Sequence, residues 1–367
     1  MRKFMRERIC KEMRAAGMDC MFITPSSNMV YVLGSSLMRD ERFSVLVLPA
    51  DGEPFAFVNR VYQMEASAWE GVETVYWNDG EDPWSAFYAM CQAQKLAVGT
   101  IGIESTMPAG FLLALMKYFK ESKLVDSSRI MRNLRPYKQE EERKLMREAC
   151  RRCSESLEET IALGRSWIGK TEGEFSEYLC REMRKRGIDH GGALVCYGEN
   201  GAIPHYLGSQ SVIREGGGLL VDFGGTYGGY NSDMSRTFYF SGGEQEAFER
   251  FSSAYEVVLE ANRAGYEAAV SGNAMEEVDR AARRVIERRG YGTYFTHRTG
   301  HGIGIDTHEA PNAEEGEKVL IEPGMAFSIE PGIYIPGEFG IRIEDQALVT
   351  EEGTVLLHDY TRELVVI

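Results

Sequence analysis

Two stretches of this chain, LLVDFGGTYGGYNSDMSRTFYF at 219–240 and FSIEPGIYIPGEFGIRIEDQALV at 327–349, each read as a strand, a glycine-containing turn and a returning strand. Each also sets two carboxylates into otherwise apolar, strand-forming sequence: Asp222 and Asp233 in the first, Glu330 and Glu344 in the second. Asp222 and Glu330 are 108 residues apart, and Asp233 and Glu344 are 111 apart. The likeness extends upstream. A long amphipathic helix at about 138–163 and a shorter one opened by the capping-box spacing Thr171-x-x-Glu174 precede the first hairpin; helices at about 245–270 and 274–289 precede the second, and the long helices start about 107 residues apart. Such an internal duplication, weak in letters but consistent in order, restricts the chain to a fold of two related halves, each contributing one hairpin with two inward carboxylates.

Taken singly, an Asp beside glycine is an ordinary turn residue that bonds its own backbone. Asp222-Phe223-Gly224 also matches a kinase magnesium motif, but the glycine-rich loop, strand lysine and H-R-D loop that such a site needs are missing from the sequence. Four carboxylates flanked by Val221, Ile329 and Ile343 are a different matter. Burial and mutual repulsion penalise their charge, and two divalent cations would balance it. Oxygen-rich donors suit manganese, iron, cobalt or zinc, and bridging carboxylates hold such ions about 3.5 Å apart. The histidines fall in the same half of the chain: His205 in ENGAIPHY, and His297, His301 and His308 in HRTGHGIGIDTHEAPN. The GHGIG glycines alone make a weak phosphate loop, because no Lys-Ser/Thr pair follows them.

Residues 1–128 alternate helical and strand patterns, with strands expected at MFITP, SVLVLP, PFAFVN, VETVYW, IGIES and KLVD and helices near 3–16, 62–69, 83–95 and 109–120. This predicts an α/β front domain with a mixed sheet, a linker through SSRIMRNLRPYKQEEE, and a second domain over 129–367, making the whole α+β. A formal charge of −15 argues against a nucleic-acid partner. The charged N-terminus lacks a signal-peptide core, and with no stretch of 18 apolar residues no membrane role is expected. Seven scattered cysteines suit reduced thiols in the cytoplasm. Cys150 and Cys153 form a C-x-x-C, yet they continue the apolar stripe of Leu145, Met146, Ala149, Leu157 and Ile161, which reads as core packing and not as zinc or redox chemistry.

Together these motifs resemble the creatinase, prolidase and aminopeptidase P group of metallopeptidases, family M24, over essentially the whole chain. The resemblance implies a creatinase-type N-terminal domain followed by a pseudo-twofold pita-bread catalytic domain. It implies Asp222, Asp233, His301, Glu330 and Glu344 as ligands of two divalent ions, manganese in this branch with cobalt or zinc also serving. His205 and His308 match substrate-contacting histidines that stabilise the oxyanion, His297 one beside the proline-side pocket, and Arg342 an arginine that orients ligands; Tyr334 lines the site, and Glu330 is the proton shuttle. A homodimer and proline-containing peptide substrates are implied as well.

Within the group, the sequence leans toward an aminopeptidase P-like enzyme that removes a residue before proline. Some prolidases carry an arginine just after the H-E-x-P stretch, where it can hold a dipeptide carboxylate; this chain has Asn312 there and no arginine in 313–325. The alternative is an Xaa-Pro dipeptidase. A methionine aminopeptidase is disfavoured by the front domain, and a metal-free creatinase or a non-catalytic binding module by the intact ligand set.

Overall fold

The computed structural model describes residues 3–203, 206 and 208–367, which form two compact units divided between Arg135 and Pro136. In the first unit a six-stranded mixed sheet has the order Glu73–Trp77, Phe55–Asn59, Val45–Pro49, Cys20–Ile23, Thr100–Ile103, Lys123–Asp126. All six expected strands are present. Phe22, Phe43, Phe57 and Phe87 pack in its core, with Phe22 and Phe87 edge to face at 5.3 Å. One helix was not foreseen, and one local reading needs correction. Ser27–Leu33 is a helix although Val30, Tyr31 and Val32 favour strands; Ser26 caps it by accepting from the Met29 N–H, and Gly34 closes it at φ 86°. The segment read as a linker is partly a helix, Ser128–Leu134, because Ile130, Met131 and Leu134 bury on one face.

The duplication is visible in the second unit. Helices Glu140–Ile161 and Glu172–Lys185 lead to a sheet of Asp189–Tyr197, Gly217–Tyr227 and Tyr230–Phe240, with Val365–Val366 on its edge; helices Gln245–Ala268 and Met275–Arg288 lead to a sheet of Glu309–Ala313, Gly300–Gly302, Ala326–Ile329, Asp345–Thr350 and Gly353–Leu356. The Thr171 capping box forms as expected, its hydroxyl 3.1 Å from Glu174 N and the Glu174 carboxylate 2.8 Å from Thr171 N. Cys150 and Cys153 are buried free thiols on the apolar stripe, and burial pushes Cys153 up to about 12. No helix among the described residues is long and apolar enough to cross a membrane.

The two hairpins differ in one respect that shapes the site. The first is an unbroken ladder from Gly217↔Phe240 to Tyr227↔Tyr230, closed by Gly228 and Gly229 at φ 57° and 83°, the two-residue turn that matches strand twist. The second is interrupted. Ala326–Ile329 pairs with Asp345–Thr350, Gly332–Ile335 pairs separately with Phe339–Arg342, and Glu330 and Glu344 stand in the gap. At this gap the halves join, because Glu344 forms an antiparallel bridge with Ser235 of the first hairpin.

Candidate metal centre

In the first hairpin Asp222 lies opposite Ser235 and Asp233 opposite Gly224, so Asp222, Asp233 and Ser235 share one face of the sheet. That face meets the opened second hairpin. Asp233, His301 and Glu344 each offer a ligand atom within 4.8 Å of the others. His301 Nε2 is 3.2 Å from Glu330 Oε1 and 3.8 Å from Asp233 Oδ2. Asp222 sits at the edge of the cluster, where its Oδ2 accepts from Arg342 Nη2 at 2.7 Å.

Electrostatics show what such a cluster lacks. Burial, with the Asp222 and Glu330 charges added, raises the Asp233 carboxyl well above its ordinary range; burial and Asp233 do the same to Glu344. Burial works against Glu330 too, but the bond from His301 overrides it and holds that carboxyl at about 2. Two further details fit bound divalent cations. Glu344 Oε1 is buried with no hydrogen-bond partner, whereas Oε2 accepts from Ser235 Oγ at 2.7 Å. His301 Nδ1 donates to the Gly302 carbonyl at 3.1 Å, which aims Nε2 at the Glu330 and Asp233 oxygens, and without a metal Nε2 carries the proton that bonds Glu330. A metal ion at Nε2 would take that proton's place between the imidazole and the carboxylates, and a backbone bond at the other nitrogen is the usual arrangement of a metal-binding imidazole.

Arg342 links the carboxylates behind this face. Nε donates to Ser235 Oγ at 2.8 Å, Nη1 to the Tyr334 hydroxyl at 2.9 Å and Nη2 to Asp222. Tyr334 in turn donates to His297 Nε2 at 2.7 Å, and His297 Nδ1 donates to the Arg298 carbonyl at 2.6 Å. The His308 ring stands edge-on to His301 at 4.2 Å; burial, with His301 and Arg298 nearby, lowers its pKa, so the ring is neutral at pH 7. His205 lies outside the described residues.

Several participants were not foreseen. Ser235 joins Arg342 to Glu344. Gln346, fully buried, accepts from the Asp233 N–H at 3.0 Å and from Cys150 Sγ at 2.8 Å, which fixes the strand that carries Asp233. His190, at φ 50°, lines a cavity of about 240 Å³ with Asp222, Gly224, Asn231, Asp233 and Thr307. Strand periodicity marks Ser235 as facing Asp233; Gln346 and His190 carry no local signal.

A family model described as Metallopeptidase family M24 matches residues 144–351, and one described as Creatinase/Prolidase N-terminal domain matches 5–137. The chain belongs to metallopeptidase family M24. The M24 match spans both hairpins and all five carboxylate and histidine positions of the cluster. A probable dipeptidase PepE of Mycobacterium tuberculosis is 36% identical over 360 residues, covering 96% of this chain and 93% of the relative. A protein named Xaa-Pro dipeptidase from Pyrococcus horikoshii is 30% identical over 98% of both chains. Among solved structures, a dipeptidase from Pyrococcus horikoshii OT3 superposes with a TM-score of 0.91 at 33% identity, covering 99% of this chain and all of that one. The pita-bread architecture expected from the sequence is that of these M24 neighbours.

Proposed function

We propose that this chain is an Xaa-Pro dipeptidase working with two divalent cations held by Asp222, Asp233, His301, Glu330 and Glu344. The observation that carries the metal reading is His301 Nε2 and the unpartnered Glu344 oxygen converging on buried carboxylates. Hard oxygen donors with a single imidazole favour manganese, with cobalt and zinc able to substitute. Bound, these cations supply a water of lowered pKa and polarise the scissile carbonyl. Glu330, ionised at neutral pH, accepts the proton of the attacking water and returns it to the proline nitrogen. Neutral His308 donates a hydrogen bond to the developing oxyanion, His205 holds the substrate backbone, and the Tyr334–His297 pair borders the proline side.

We prefer the dipeptidase alternative to the lean toward aminopeptidase P. Relatives carry dipeptidase names, and Arg298 is near enough for its charge to act on His308, which makes it our candidate partner for a dipeptide carboxylate. The aminopeptidase reading retains one observation in its favour, since Asn312 lies opposite His301 in the sheet and offers only an amide, itself bonded to Glu314 at 3.0 Å. Comparing Xaa-Pro dipeptides with Xaa-Pro-Yaa tripeptides in manganese decides between them. We expect kcat/KM to favour the dipeptide by at least tenfold, about 1.4 kcal/mol, and Arg298→Met to erase that margin. Faster tripeptide cleavage would restore the aminopeptidase P reading.

A further inference from the structure

The second hairpin keeps one register across its gap. Ile329 is opposite Asp345 and Gly332 opposite Arg342, so a continuous ladder would set Glu330 against Glu344. Instead the strands widen, the Ile343 N–H reaching the Pro331 carbonyl only at 3.4 Å. The Glu330 N–H donates to the Thr299 carbonyl at 2.8 Å and the Glu344 N–H to the Ser235 carbonyl at 3.0 Å, while Pro331 has no N–H to offer. A widened pairing with a proline in it leaves buried carbonyls in need of donors. Asn262, 1% exposed on the Gln245–Ala268 helix, supplies them: Nδ2 donates to Ile329 O at 3.0 Å and to Ile343 O at 3.1 Å, the residues immediately before the two glutamates. Its Oδ1 accepts from Arg362 Nη1 at 3.0 Å. That pattern fixes the amide's orientation, since its NH₂ alone can serve two carbonyls and its oxygen alone can face a guanidinium.

We propose that Asn262 is a positioning residue for the metal centre, a wedge that holds the strands apart at Glu330 and Glu344 and thereby sets the spacing of those carboxylates for two divalent cations. The first half shows the contrast. Its ladder runs unbroken past Asp222, and the position 108 residues before Asn262 is Ser154, whose hydroxyl accepts from the Asp359 N–H at 3.4 Å and bonds neither strand. The inference rests on Glu330 and Glu344 being metal ligands and adds the residue that spaces them.

The test measures manganese binding by calorimetry and the cobalt(II) absorption spectrum on the full chain. Asn262→Asp keeps the size and the Arg362 bond but turns a carboxylate oxygen toward two carbonyls. Val258→Ala, one turn earlier and fully buried in apolar packing, lowers stability without touching either carbonyl. Asn262→Asp is expected to lose about ten- to a hundredfold in manganese affinity at one site or both and to shift the cobalt bands, whereas Val258→Ala lowers Tm and leaves both unchanged. Wild-type affinity in Asn262→Asp, or an equal loss in Val258→Ala, overturns the proposal. If Asn262→Asp does not fold, Arg362→Met decides: it frees the amide to turn and should weaken manganese roughly threefold or more, and unchanged binding there overturns the wedge. A wild-type protein that takes up neither metal overturns the metal reading itself, and the wedge with it.

Discussion

Arg342 and Asp222 meet at 2.7 Å, and the same guanidinium reaches Ser235, whose hydroxyl bonds Glu344. One side chain therefore sets the positions of a carboxylate from each half. Burial opposes the charge of Arg342, but Tyr334 and the surrounding carboxylates keep it firmly protonated.

Replacing Arg342 by Lys preserves charge and loses the fork. A lysine cannot serve Asp222, Ser235 and Tyr334 together. Metal affinity should fall about ten- to a hundredfold with the fold retained, read by metal titration and circular dichroism. Wild-type affinity would mean that Arg342 does not orient the ligands.

Asp233→Asn removes one of four acidic charges from the centre. The variant should fold, retain at most one cation per chain and show no measurable hydrolysis. Full metal content with substantial turnover would remove Asp233 from the ligand set.

For His308→Ala, metal content should stay near normal while kcat drops roughly 10² or more, as for a lost oxyanion donor. Loss of metal instead would place His308 among the ligands.

The metal-free protein should become less stable as pH rises. Asp233 and Glu344 have raised pKa values when folded, so between the ordinary carboxylate range near pH 4 and those raised values the folded state binds more protons than the unfolded one. Stability therefore falls as pH increases through that window. His301, also raised, adds to the fall above its unfolded value of about 6.5; Glu330, held at about 2, acts oppositely only in acid. Metal binding displaces those protons, so the manganese-induced rise in Tm should be larger at pH 8 than at pH 6. A metal effect that shrinks with rising pH would contradict the charge balance drawn for the centre.

How far the sequence carries is clearest at the four carboxylates. Alternation along 219–240 places Asp222 and Asp233 on one face, and the two ligand strands of the first half could be drawn from letters alone. The opening at Glu330 and Glu344 could not, because register continues across it and only Pro331 hints at a missing bond. The cause lies on a helix, 67 and 81 residues before Ile329 and Ile343, in the amide of Asn262. The helix at Ser27–Leu33 went unread for a related reason: Val30 and Val32 favour strands, and a local serine cap with a terminal glycine outweighed them. Arg298 was legible as a charge but not as a neighbour of His308, a relation that needs the folded loop.

The bridge between Ser235 and Glu344 also governs when this protein can act at all. Asp222 and Asp233 belong to one half, His301, Glu330 and Glu344 to the other, and the seam between them closes only when both hairpins are formed. A nascent chain that has folded only its first hairpin holds two aspartates and no imidazole, and lacks three of the five proposed ligands. On the proposed ligand set, the site is therefore assembled only as the last of the second half folds.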